Sequence, residues 1–180
     1  NQYHQILHDD NNPTPPHFNH SLLLFPPKGK QHDDNDNTYI RLPKDTRPIS
    51  LSNTDNKIAS SLRDYAASSV ASHTVSHHQA CLKQRQLADN ILDIEAKALT
   101  CALANSALAG IIAYDISAAF PSLSRVYLFF VLCAMGFPHH YIRAIQRLYH
   151  DNLHYIYLNN QVGPSLIFTS GVKQGCPLSM

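Results

Sequence analysis

The spacing of apolar positions changes period along the chain, and the changes predict its elements. Leu22-Leu23-Leu24-Phe25 is a short apolar run stopped by Pro26-Pro27, which suits a strand. Gln31 to Asn37 (QHDDNDN) is polar and acidic and reads as a loop. Thr38-Tyr39-Ile40-Arg41-Leu42 alternates and predicts the returning strand of a hairpin. Arg47 to Leu51 is extended, because a residue before proline avoids the helical region.

From Thr54 the period lengthens to that of a helix. Thr54 or Asp55 caps a helix whose apolar face is Ile58, Leu62, Tyr65, Ala66 and Val70. A second helix runs from about Ala88 to Ala107. Its apolar face is Ile91, Leu92, Ala98, Leu99, Ala102 and Leu103, with Asp89, Asp93 and Lys97 outside. Gly110 to Asp115 is an apolar run of strand length ending in a carboxylate, the pattern of a buried strand with a functional tip.

Ser122 or Ser124 opens a third helix, Arg125 to Met135, apolar nearly all round and therefore expected to be deeply buried. Gly136 and Pro138 end it and start a fourth, which buries Tyr141, Ile142, Ile145, Leu148 and Tyr149 and points Arg143 and Arg147 away. His154 to Leu158 and Ser165 to Thr169 read as strands around a turn at Asn159-Asn160. There are no internal repeats. The pattern is α+β, with helices packed on a partial antiparallel sheet.

Composition narrows the picture only a little. A chain of 180 residues suits one domain with a sizeable core. Residues 1–20, polar and carrying Pro13, Pro15 and Pro16, are expected to form a poorly ordered tail, leaving 21–180 as the domain. The tail holds no apolar signal segment, and the longest apolar run, Val126 to Met135, is too short to cross a bilayer. A soluble protein with no membrane partner is expected. The net charge of +1 gives no bulk sign of a nucleic-acid partner, so any basic contact must be local.

The four cysteines include no C-x-x-C pair, which argues against a zinc ribbon or a disulfide framework and for reduced thiols. Among twelve histidines, His73 and His77 stand at i, i+4 with His78 alongside, a spacing that could bind a divalent ion on a helix. No acidic or cysteine partner supports them and there is no H-E-x-x-H, so they read as surface histidines.

Asp115 is the first chemical candidate. Alone, an Asp after a strand is as well explained as a turn or capping residue. Its surroundings are more specific. Ala113-Tyr114-Asp115-Ile116-Ser117-Ala118-Ala119-Phe120, with an aromatic five residues after the Asp, resembles the first catalytic motif of retroelement reverse transcriptases. Gly171-Val172-Lys173-Gln174-Gly175-Cys176-Pro177-Leu178-Ser179 resembles their next motif almost letter for letter. Arg47 to Ile58 is similar to the family's fingers motif, and Gln79 through Arg85 to Ile91 to its linking segment. The four blocks stand in the family's order and cover roughly residues 22–180. The chain is identified by this resemblance as a reverse transcriptase of the non-LTR retrotransposon type.

The resemblance implies the fingers and an incomplete palm of a right-hand polymerase, ending before the Ala-Asp-Asp motif. It implies an RNA-directed DNA polymerase that uses Mg²⁺, an RNA template, a DNA primer and deoxynucleoside triphosphates, in an intracellular, nuclear setting. Asp115 would bind the ions, assisted by the main-chain carbonyl of Ile116. Phe120 would lie under the incoming sugar and exclude a 2′-hydroxyl. Gln174 would hold the nucleotide, Arg47 would pair with its triphosphate, and Lys28 would make a second phosphate or template contact. Each has a plainer alternative. Phe120 could be core, Gln174 a loop brace and Arg47 a partner for local carboxylates, while Lys30 and Lys44 compete with Lys28. Pro121 and Cys81-Leu82 depart from the family's pattern and leave room for a decayed copy without catalysis. A group II intron-like or telomerase-like enzyme would share the chemistry.

Overall fold

The structure, a computed structural model, describes residues 14–29, 39–80, 85–105 and 110–179. The expected loop at 31–37 and Cys81-Leu82 lie outside these residues. Among them are five helices and four strands. The strands are β1 (Ser21–Leu24), β2 (Ile49–Ser52), β3 (Leu153–Leu158) and β4 (Gln161–Ile167). The helices are α1 (Thr54–Thr74), α2 (Leu87–Asn105), the single turn α3 (Ala119–Ser122), α4 (Arg125–Ala134) and α5 (His139–Leu148).

The chain divides into two units, residues 1–64 with 118–180 and residues 65–117, so the boundary falls inside α1. None of the described helices is long and apolar enough to cross a membrane.

The first unit holds the sheet, in the order β2-β1-β3-β4. β1 pairs antiparallel with β2, matching Leu23 to Ser50, and parallel with β3, matching Ser21 to His154. The sheet is therefore mixed, which corrects the antiparallel expectation. Parallel neighbours need a long crossover, and here the segment from β2 to β3 supplies it. β3 and β4 form a hairpin around the expected turn, but β4 begins at Gln161 and ends at Ile167 rather than running from Ser165 to Thr169. Asn159 and Asn160 stand at φ 50° and 61°, which asparagine tolerates and which suits a two-residue turn between twisted strands. The register shifts between Tyr155 and Tyr157, opposite Gly163-Pro164, where proline has no N–H to give the ladder.

α5 folds as its spacing requires. Tyr141, Ile142, Ala144, Ile145 and Leu148 are all buried, and Ala144 and Leu148 join Phe18 and Ala59 in the core. The ends of α4 are also legible. The Ser124 hydroxyl accepts from the Tyr127 N–H at its start. At its end Gly136 (φ 79°) donates to Cys133 and Phe137 to Leu132, closing the left-handed cap.

Several expectations fail. Residues 39–42 form no strand; the chain there leads into a 3-10 turn, Pro43–Asp45, and pairs only as the bridge Pro27–Thr46. The tail expected up to residue 20 is built in from Pro15 onward, with Phe18 and Asn19 buried. α1 buries Asn56, Ala59 and Ser60, while Leu62 and Tyr65 are exposed. The reason is a polar anchor: the Asn56 amide donates to Asn19 Oδ1 at 2.9 Å, and Ala59 and Ser60 are small enough for close approach.

α2 leaves Ile91, Leu92, Leu99 and Leu103 exposed. α4 has no buried residue, and Val126 is 80% exposed. An apolar helix is buried only where neighbours surround it, and among the described elements the main neighbour of α4 is α5. Residues 110–115 are irregular rather than a strand, with Ile112 74% exposed. Apolar content made that run strand-like, but the unit it belongs to forms no strand among its described residues.

Candidate active site

The segment Gly171 to Cys176 is a turn gripped on two sides. Gly171 stands at φ 75°, and a Cβ there would lie 2.8 Å from the Pro121 carbonyl oxygen, so no larger residue fits. The Gly171 N–H donates to Leu123 O (3.0 Å) and the Val172 N–H to Phe120 O (2.9 Å), fixing the turn to the backbone around Phe120. On the other side the Ser50 N–H of β2 donates to Gln174 O at 2.9 Å. Gly175, at φ 102°, packs with its Cβ position 3.2 Å from Ser50 O.

Cations brace this turn. The Arg125 guanidinium donates through Nε to Gly171 O (2.8 Å), through Nη1 to Tyr149 O (3.1 Å) and through Nη2 to Ser170 O (3.4 Å). It lies 5.0 Å from the centre of the Tyr149 ring. Lys173 is only 3% exposed, and its ammonium donates to Asn19 O at 3.2 Å. Asn19 in turn donates to Arg147 O (2.8 Å) and His150 O (2.6 Å), tying the turn before β1 to the end of α5. Burial first, then Arg125, pushes the Lys173 ammonium down to about 8. Burial, then Lys173 and Arg125, pushes His154 down to about 4. His154 is fully buried, hydrogen-bonded through Nδ1 to Ser50 Oγ (3.3 Å) and stacked on Phe168 at 4.0 Å.

Beyond the β1–β2 ladder the two segments stay paired. The Arg47 N–H donates to Pro26 O (2.9 Å) and the Lys28 N–H to Asp45 O (2.8 Å). Arg47 and Lys28 are both exposed, and the Lys28 ammonium reaches Lys44 O at 2.8 Å. Lys28, Arg47, Phe120 and Gln174 thus belong to one unit and are linked through its main-chain hydrogen bonds. Asp115 and Ile116 belong to the other unit, both exposed on irregular backbone. An Asp carboxylate and a main-chain carbonyl are hard oxygen donors of the kind Mg²⁺ takes. Among the described residues, however, no group of three or more His, Cys, Asp or Glu side chains is arranged to hold a metal. Among the described residues the donor set for a pair of ions is therefore incomplete.

Three residues that brace the turn escaped the sequence reading. Lys173 lay within a recognised block but was given no role of its own. Arg125 looked like a helix start, and Asn19 like part of a tail. A lysine between glycine-flanked turn residues gives no local sign that it will be buried.

No protein-family model matches the chain. The chain is 28% identical over 159 residues to the transposon TX1 uncharacterized 149 kDa protein of Xenopus laevis, a match that covers 88% of this chain and 11% of that protein. The chain therefore spans about a tenth of the length of this relative, and its likeness is to one segment of a transposon protein.

Proposed function

We propose that the chain is a segment of an RNA-directed DNA polymerase of a non-LTR retrotransposon, acting in the nucleus to copy element RNA into DNA. The observation that carries this reading is the gripped turn: Gln174 bonded to β2 close to Arg47, and Val172 bonded to Phe120. A nucleotide-binding surface needs such a rigid mount, because positioning and electrostatics supply nearly all of phosphoryl-transfer catalysis. The likeness to a transposon protein supports the setting.

In this reading Arg47 and Lys28 hold the triphosphate of an incoming deoxynucleotide, Gln174 holds the nucleotide itself, and Phe120 lies under its sugar. Asp115, with the Ile116 carbonyl, takes part in holding Mg²⁺, and further carboxylates come from another segment of the whole protein. The bound ions would stabilise charge on the transferring phosphoryl group. RNA template and DNA primer complete the set of partners.

The test is primer extension on RNA by the protein carried through its downstream reading frame. Asp115→Asn keeps the side chain's shape and removes its charge, and at least about a thousandfold of activity should go with it. Near-normal extension would show that Asp115 is structural. The irregular backbone at residues 110–115 favours a second reading, a non-catalytic remnant. That reading is upheld if the wild-type protein extends nothing.

A further inference from the structure

Buried charges are retained against a considerable desolvation cost, and they are normally matched by an opposite charge. Lys173 is buried, and the hydrogen-bond acceptor of its ammonium among the described residues is the neutral Asn19 carbonyl. The groups facing it are Cys176 on its own turn, Arg125 at the start of α4, His154 on β3 and His20 before β1. None is a carboxylate. Arg125 itself is half-buried against three carbonyl oxygens and a tyrosine ring, again all neutral. Two desolvated cations therefore flank the turn of Gln174, and within the described residues no carboxylate is paired with either.

We propose that Lys173, backed by Arg125, is an electrostatic residue of a polyphosphate site, its uncompensated charge serving to attract the triphosphate of a nucleotide held at the Gln174 turn. The inference rests on the polymerase reading for its ligand. Its physical ground is that a cation shielded from water projects its field much further than one on the surface. Arg47 and Lys28 on the surface can touch the anion; Lys173 acts from beneath.

This role separates from packing by the sign of its effect on stability. Because the folded Lys173 sits near 8 and a free lysine at 10.5, the unfolded chain binds more protons between those values. Folding is therefore penalised below pH 8 and relieved as pH rises through that window. Lys173→Met keeps the length of the side chain and removes the charge. The variant should melt no lower than wild type at pH 7, and its margin should shrink toward pH 10.

Affinity should move the other way. In the full-length protein, binding of inorganic tripolyphosphate, measured by calorimetry, should weaken about tenfold in Lys173→Met. Wild-type affinity should also fall as pH rises through about 8, whereas the variant's should not. Cys176→Ser in both proteins removes the neighbouring thiol from these profiles. Unchanged affinity in Lys173→Met overturns the proposal, and so does a loss that merely follows a drop in melting temperature. If the variant does not fold, a wild-type profile flat between pH 7 and 9 overturns it as well, as does a wild-type protein that binds no tripolyphosphate. Lys173-dependent binding without primer extension leaves this site standing and removes the polymerase reading. Primer extension with Lys173-independent affinity does the reverse.

Discussion

Phe120 is held through its main chain and is half-buried, so its ring is neither locked into the core nor free in solvent. Its carbonyl accepts the Val172 N–H at 2.9 Å, and the Gly171 Cβ position lies 2.9 Å from the same oxygen. The backbone therefore stays fixed when the side chain is cut back, which makes Phe120→Val a clean test of the ring. If the ring occupies the space of a 2′-hydroxyl, the variant should accept ribonucleotides about ten to a hundredfold better relative to deoxynucleotides, from the removal of a steric clash worth about 1–3 kcal/mol. The ratio of incorporation efficiencies for the two nucleotide types measures this. An unchanged ratio, with both efficiencies lowered, identifies Phe120 as packing.

Among the elements, α1 shows how a remote residue can finish a helix. Arg85, eleven residues past Thr74, donates through Nη2 to Ser72 O (3.2 Å) and Val75 O (3.1 Å). Through Nη1 it donates to Gln79 O (2.8 Å) and Ser76 O. A cation on the last carbonyls of a helix satisfies orphan acceptors and opposes the negative end of the dipole. Arg85→Ala should therefore fray the end of α1, costing about 1–2 kcal/mol locally. Hydrogen exchange should quicken by about tenfold near residues 72–76, in line with such a loss, and stay unchanged around Asn56. Uniform quickening would mean that Arg85 supports the whole fold instead. The linking segment was noticed as a motif, yet nothing local says that its arginine reaches back to the end of α1.

At the scale of the molecule, what could be read in the chain was what is decided locally. The Ser124 cap, the Gly136 stop, the Asn159-Asn160 turn and the face of α5 all follow from neighbours within a few residues. The buried side of α1 was misread because Asn56 answers to Asn19, which is distant in sequence, and hydrophobic spacing carries no information about a polar anchor. The same limit hid Lys173 and Arg125 in the candidate site, whereas Asp115, Phe120 and Gln174 stood out through motif likeness and not through any visible contact.

Large apolar side chains at the surface, among them Val126, Tyr127 and Phe130 on α4 and Ile111 and Ile112 before Asp115, carry a consequence for the isolated chain. Residues 1–180 alone should bind a hydrophobic dye, elute larger than a monomer and make no DNA. Monomeric elution without dye binding would refute this.

The pairing of β1 with β3 also sets a timetable. β1 leaves the ribosome with only β2 soon available, and its second edge must wait for a strand synthesised more than a hundred residues later. At about ten residues per second, that is a delay of about ten seconds. Through that interval nascent Leu22-Leu23-Leu24 offers an open edge, and a holding chaperone would find its client there.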